Sequence, residues 1–191
     1  MLHGKYPLLI ALHGNNSTMA DTVAHWSSPA SAGWVVAVPQ SSEIGVSPGA
    51  FIWNETERTV REVTAHIGEI GKRAWLDPDR LVVGGFSMGG LQAIALPLTA
   101  RIRARAFVAV AAWLPNIREF ATMLDRGPGR DLSGYVVVGR RDPNCDGAKQ
   151  LVALLAKHRI RAHLDLREDL GHEYPADMPE TLSRALAFAS N

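Results

Sequence analysis

Six short apolar and β-branched runs recur along the chain, at Leu8–His13, Trp34–Pro39, Leu81–Gly84, Arg105–Val110, Tyr135–Gly139 and Ala162–Leu166. They read as continuous runs rather than alternating ones, as expected of strands covered on both faces. Between them lie segments of helical period. Val60, Val63, Ile67, Ile70 and Ala74 form one apolar stripe, preceded by Asn54 and Glu57 at capping-box spacing and followed by Asp77-Pro78. Met19, Thr22, Val23 and Trp26 make a shorter stripe before Pro29. Leu91, Ile94, Ala95 and Leu98 make another, bent or stopped near Pro97. Asp146 is placed to cap a helix carrying Leu151, Val152, Leu154 and Leu155. Asp177 is placed to cap the last one, with Leu182, Leu186 and Ala189 facing inward.

Strand and helix in alternation predict an α/β fold of three layers, about six parallel strands with helices on both faces. Chemistry in such a sheet collects in loops at the carboxyl ends of the strands. The 191 residues suffice for one domain, 1–191, with a real hydrophobic core. Lysine and arginine total 20 against 19 acidic residues, so the charge balance gives no reason to expect nucleic acid or an anionic membrane as partner. The single cysteine, Cys145, excludes an internal disulfide and fits a reducing, cytoplasmic setting. Leu8–Leu12 is too short to span a membrane. Histidine and cysteine spacings contain no metal set, and no dinucleotide fingerprint appears, so neither metal nor cofactor is expected.

The third run leads into Gly84-Gly85-Phe86-Ser87-Met88-Gly89-Gly90, a Gly-x-Ser-x-Gly turn between strand and helix. Such a turn strains the serine backbone and holds its hydroxyl clear of the sheet, at a helix N-terminus that favours negative charge. The bland alternative is a tight turn or a phosphate-binding one. A serine hydroxyl needs a neighbouring base. His172 follows the last strand, in Gly171-His172-Glu173, at the correct end of the sheet. His163 lies within a strand pattern, His158 at a helix end and His66 in mid-helix; His3 and His25 have no motif context. Asp142 follows the fifth run and is one strand-crossover-strand unit from His172, so the two can sit side by side. Asp146, Glu168 and Asp169 are rival acids, the first read as a cap and the others as solvated.

The order Ser87, Asp142, His172 resembles that of the α/β-hydrolase superfamily, and within it the small phospholipase/carboxylesterase and dienelactone-hydrolase-like esterases. The similarity is carried by Pro7–Gly14, Asp77–Leu81, Gly85–Gly90, the Asp142 turn and Gly171-His172, nearly the whole chain. It implies a serine hydrolase of small esters or thioesters, with Ser87 as nucleophile, His172 as base and Asp142 as its orienting acid. It further implies an oxyanion hole from the backbone N–H groups of Met88 and Asn15, the latter following His13-Gly14. The carboxylesterase branch often has glutamine where this chain has Met88, and dienelactone hydrolases have cysteine at the Ser87 position. A hairpin ahead of the His13-Gly14 strand is expected to be missing, and so is a helical lid, since only 24 residues lie between Val110 and Tyr135. Trp53, Trp113 and Leu114 lie in connections that open at the catalytic end, and are candidates for an apolar substrate pocket. An exposed edge at Trp34–Pro39 suggests a homodimer. Other classes share these residues: a binding or regulatory protein on the same fold, an acyltransferase, or a peptidase.

Overall fold

The computed structural model describes residues 5–125 and 132–190. Six parallel strands form one sheet in the order β2-β1-β5-β6-β7-β8. They are β1 (Tyr6–Leu12), β2 (Val35–Ala37), β5 (Leu76–Phe86), β6 (Ala106–Val110), β7 (Ser133–Gly139) and β8 (Arg161–Arg167). A two-stranded antiparallel pair, β3 (Glu43–Ile44) and β4 (Phe51–Ile52), stands apart from it. The helices are α1 (Met19–Trp26), α2 (Thr56–Gly71), α3 (Met88–Leu98), α4 (Ile117–Asp125), α5 (Cys145–Lys157) and α6 (Met178–Ser190).

The strand period of two sorts the core into layers. Leu9 and Ala11 of β1, Val82 of β5 and Val108 and Val110 of β6 pack with Trp26 of α1 and Leu182 and Ala185 of α6. Their neighbours point the other way. Leu8, Ile10 and Leu12 meet Val60 and Val63 of α2 and Leu96 of α3. Phe107 and Ala109 meet Ile94 of α3, Phe120 of α4 and Leu151 of α5. The three layers follow directly from apolar residues at both parities of the central strands.

The edges depart from that pattern. Strand β8 exposes Arg161 and His163 and leaves its other positions half-buried, as expected of an edge. Strand β5 starts at Leu76, five residues before the apolar run, because Tyr6 pairs with Leu76 across a register shift in β1. Arg80 bridges Asp77 and the Lys5 carbonyl there. In sequence, the Asp-Pro-Asp-Arg stretch hides this polar extension behind a turn signal.

Two expected caps are replaced by other partners. The N-cap of α2 is Glu55 rather than Asn54, and Glu43 of β3 accepts from the N–H groups of both. Glu57 leaves the supposed capping box to pair with Arg101. In α5 the N-cap is Asn144, and Asp146 lies inside the first turn, paired with Lys149. Helix α2 ends at Gly71, so Ala74 falls outside its stripe. On α1 only Thr22 and Trp26 are buried, while Met19 and Val23 are exposed. Pro97 sits in the last turn of α3, which ends one residue later.

Gly84 sits where the sheet meets α1. A Cβ there would lie 2.3 Å from Cζ3 of Trp26, whose indole is fully buried. We expect Gly84→Ala to destabilise the fold by about 1–3 kcal/mol, the usual cost of overpacking. Urea unfolding measures it; an unchanged midpoint would show that Trp26 can yield.

Candidate active site

Ser87 stands between β5 and α3 with φ 53° and ψ −114°, a conformation that costs a non-glycine residue about 1–3 kcal/mol. Its neighbours hold it there. The Ser87 N–H donates to the Val110 carbonyl, and its carbonyl accepts from Leu91 and Trp113. The flanking glycines are required by close approach. A Cβ on Gly85 would lie 2.2 Å from the Gly89 carbonyl oxygen, and one on Gly89 would lie 2.3 Å from that of Leu12.

Ser87, His172 and Asp142 form one hydrogen-bonded chain. His172 Nε2 lies 2.9 Å from Ser87 Oγ, and Nδ1 lies 2.8 Å from Asp142 Oδ2. The Asp142 side chain is fully buried, while His172 keeps about a third of its side chain exposed (35%). Asp142 Oδ1 accepts from the backbone and side chain of Asn144 at 2.7 and 3.0 Å. A carboxylate at Oδ2 can only accept, so Nδ1 of His172 carries the proton and Nε2 presents its lone pair to the Ser87 hydroxyl.

Adjacent strand ends bring acid and base together. Arg140 N–H donates to the Arg167 carbonyl and Arg141 N–H to that of Leu170, tying the Asp142 turn to the His172 loop. Gly139 permits that contact, since a Cβ would lie 2.0 Å from the Leu170 oxygen. Arg140 and Arg141 also pair with Glu168 and Asp169, so these two acids flank the site as surface ion pairs rather than entering it. Asp146 likewise stays outside. Beyond His172, Asp177 anchors the loop by accepting from Arg167 and Arg184.

The loop after β1 is fixed by His13, which is wholly buried. Its Nε2 accepts from the Ser41 N–H at 3.2 Å, and a backbone N–H can only donate. Gln40 Nε2 also reaches that atom at 2.9 Å, its amide oriented by Oε1 accepting from Met19 N–H. Nδ1 therefore bears the proton and donates to the Gly14 carbonyl at 2.9 Å. A trans peptide puts N–H opposite C=O, so holding Gly14 oxygen on His13 directs the Asn15 N–H away from it. Asn15 lines a cleft of about 350 Å³ with Gly14, Phe86, Ser87, His172 and Tyr174. Neither the Asn15 N–H nor that of Met88, the first residue of α3, has a protein acceptor among the described residues.

Ser17, Asp21 and Thr22 complete the cleft. Sequence reasoning missed this wall, although Thr18 and Asp21 form a capping box whose spacing was readable. It also missed Tyr174, which stacks on Phe86 and on His25, with its hydroxyl accepting from Trp26. Burial pushes the Tyr174 phenol up to about 12. The expected tryptophan pocket lies elsewhere. Trp53 is buried beside His13, behind the loop. Leu114 is buried in the core against Gly147. Trp113 is exposed and adjoins Ser87 through its backbone, outside the cleft lining. Among the described residues no three His, Cys, Asp or Glu side chains converge to hold a metal ion, and no helix is long and apolar enough to cross a membrane.

Parallel sheet, helical layers and the strand-to-helix serine turn define an α/β-hydrolase. The family model for phospholipase/carboxylesterase matches residues 45–191. The chain belongs to that family. An uncharacterized protein from Bacillus cereus ATCC 10987 superposes with a TM-score of 0.87 at 28% identity, over 100% of this chain and 62% of its own. The chain thus spans less than two thirds of that relative. Esterase PE8 superposes at 0.77 with 17% identity, over 98% of this chain and 93% of that one. An S-formylglutathione hydrolase from Staphylococcus aureus superposes at 0.72 with 15% identity, over 98% and 82%. No curated protein matches the sequence.

Burial holds the His13 imidazole below its ordinary pKa of 6.5. The unfolded chain therefore takes up a proton near pH 6.5 that the folded one refuses, and stability falls as pH drops through that value until the folded-state pKa is passed. We expect His13→Gln to flatten this part of the stability–pH curve. Denaturant midpoints of both proteins between pH 7.5 and 5 (about the span over which a free histidine titrates) check it; parallel curves would refute the assignment.

Proposed function

We propose that this chain is a serine hydrolase of small esters or thioesters, working through a Ser87–His172–Asp142 triad. The observation that carries the reading is the continuous hydrogen-bonded chain from buried Asp142 through His172 to Ser87 Oγ. Membership of the phospholipase/carboxylesterase family supports the hydrolase class.

The chemistry follows from the geometry. Ser87 Oγ attacks the ester carbonyl as His172 Nε2 takes its proton. Asp142 holds the ring in the tautomer that can do so and stabilises the imidazolium. The carbonyl oxygen gains charge and moves toward the Met88 and Asn15 N–H groups, which have no acceptor among the described residues to give up. Each such donor is typically worth about 10²–10³ in rate. His172 then returns the proton to the leaving alcohol or thiol. Water, activated by the same nitrogen, releases the acid and restores Ser87. A cleft of about 350 Å³ lined by Ser87 and His172 suits small acyl esters.

Ser87→Ala should abolish both 4-nitrophenyl acetate hydrolysis and labelling by a fluorophosphonate probe. Asp142→Asn should leave the fold intact and lower kcat by about 10⁴, through the wrong tautomer of His172. Undiminished turnover in Ser87→Ala would overturn the mechanism.

A further inference from the structure

We propose that Asp21 is a specificity-determining residue of the Ser87 site, selecting esters and thioesters with a cationic or neutral leaving group over those with an anionic one. The proposal rests on the esterase reading above.

Asp21 lies on the cleft wall that α1 contributes, opposite no basic side chain. The other lining residues are glycine, neutral polar or aromatic, apart from His172. Its Oδ2 accepts three hydrogen bonds, from Thr18 N–H at 3.0 Å, Thr18 Oγ1 at 2.8 Å and Ser17 Oγ at 3.2 Å. Its Oδ1 has no partner and the carboxylate makes no ion pair among the described residues. The Thr18 hydrogen bonds, foremost that of its side chain, hold the Asp21 carboxyl below the usual carboxylate range, so it is charged at neutral pH. The neighbouring titratable groups do not cancel this charge. His13 is buried behind the loop as the neutral ring, and His25 stacks on Tyr174 one turn along α1. Glu173, next to His172, lies outside the cleft lining, accepts from Gly171 N–H and brings no positive charge.

The same capping box removes the feature that would otherwise attract an anion. The N-terminus of α1 points positive dipole and free N–H groups outward. Here Thr18 N–H is taken by Asp21, and Asp21 N–H by Thr18 Oγ1. A negative side chain thus replaces a positive helix end on one wall. The leaving group must come within reach of His172 Nε2, because that atom returns its proton. His172 and Asp21 share the cleft, so charge on the alcohol or thiol is the charge that Asp21 senses.

Three thioacetates of similar size separate the outcomes: acetylthiocholine, its neutral 3,3-dimethylbutyl analogue, and the anionic 3-sulfopropyl ester. Their kcat/KM values are normalised to their reactivity with hydroxylamine, a neutral nucleophile. At low salt we expect a cationic-over-anionic preference of about five- to tenfold, the size of one charge acting across a hydrated cleft. Asp21→Asn, which keeps the acceptor of the capping box, should reduce the preference to within about twofold. Asp146→Asn, an equal charge change on α5, should retain it. A wild-type preference near one, or one that survives Asp21→Asn, overturns the proposal. Where Asp21→Asn fails to fold, the wild type still decides: the preference must decay between ~20 mM and ~500 mM salt. Charge-blind turnover with intact fluorophosphonate labelling defeats the selectivity alone, whereas loss of labelling defeats the esterase reading and the selectivity with it.

Discussion

The close passage of three chain segments at the carboxyl end of the sheet constrains everything around it. Gly89, in the first turn of α3, lies against the carbonyls of Leu12 and His13, and Gly85 lies against Gly89. No side chain fits at either point. With those distances met, β1, β5 and α3 converge within a few ångströms, and Ser87 is caught between them at positive φ. Its strain persists because both of its backbone groups are bonded to the ends of β6 and its exit, at Val110 and Trp113. The geometry also determines what a substrate would meet. The same convergence leaves the N–H of Met88 at the start of a helix and places Asn15, in the loop after β1, in the cleft that Ser87 lines.

Much of this was legible in the sequence, because the central strands and the elbow are specified locally. An uninterrupted run such as Phe107–Val110, too short for a helix, reads as a strand buried on both sides, and Gly-x-Ser-x-Gly after a strand carries its own backbone requirement. The order of Ser87, Asp142 and His172 along parallel strands then brought these positions together by topology alone. What was not legible depends on distant partners. Asn54 and Glu57 have capping-box spacing, yet Glu43 and Arg101 outbid the local contacts from elsewhere in the chain. Trp53 and Leu114 lie in connections that start at the catalytic end of the sheet, but both side chains turn inward, because the path of the connection and not the strand before it sets their direction. The β3–β4 pair has strands of two residues each, too short for any period to register, although it braces the Asn16–Ser17 loop through Ser47 and Phe51.

The two histidines at the strand ends show how one residue type is given opposite roles. Both His13 and His172 carry the proton on Nδ1 and donate it to an oxygen, a backbone carbonyl in one case and a buried carboxylate in the other. What differs is Nε2. In His13 the Ser41 N–H and the Gln40 amide occupy it, so the ring is satisfied on both sides and has no lone pair left for chemistry. In His172 the same atom has Ser87 Oγ as its one partner among the described residues. The oxygen partner adds a second difference. A carbonyl cannot compensate a full positive charge as a carboxylate does, so protonation at Nε2 would leave His13 as an uncompensated buried cation. Beside Asp142 the same protonation creates an ion pair. One strand end therefore carries a rigid neutral ring that aims a peptide N–H, and the other a ring whose Nε2 is left to Ser87 Oγ, as the proposed mechanism requires. The proposed mechanism would use both, because a group that moves charge is useful only next to donors that do not move.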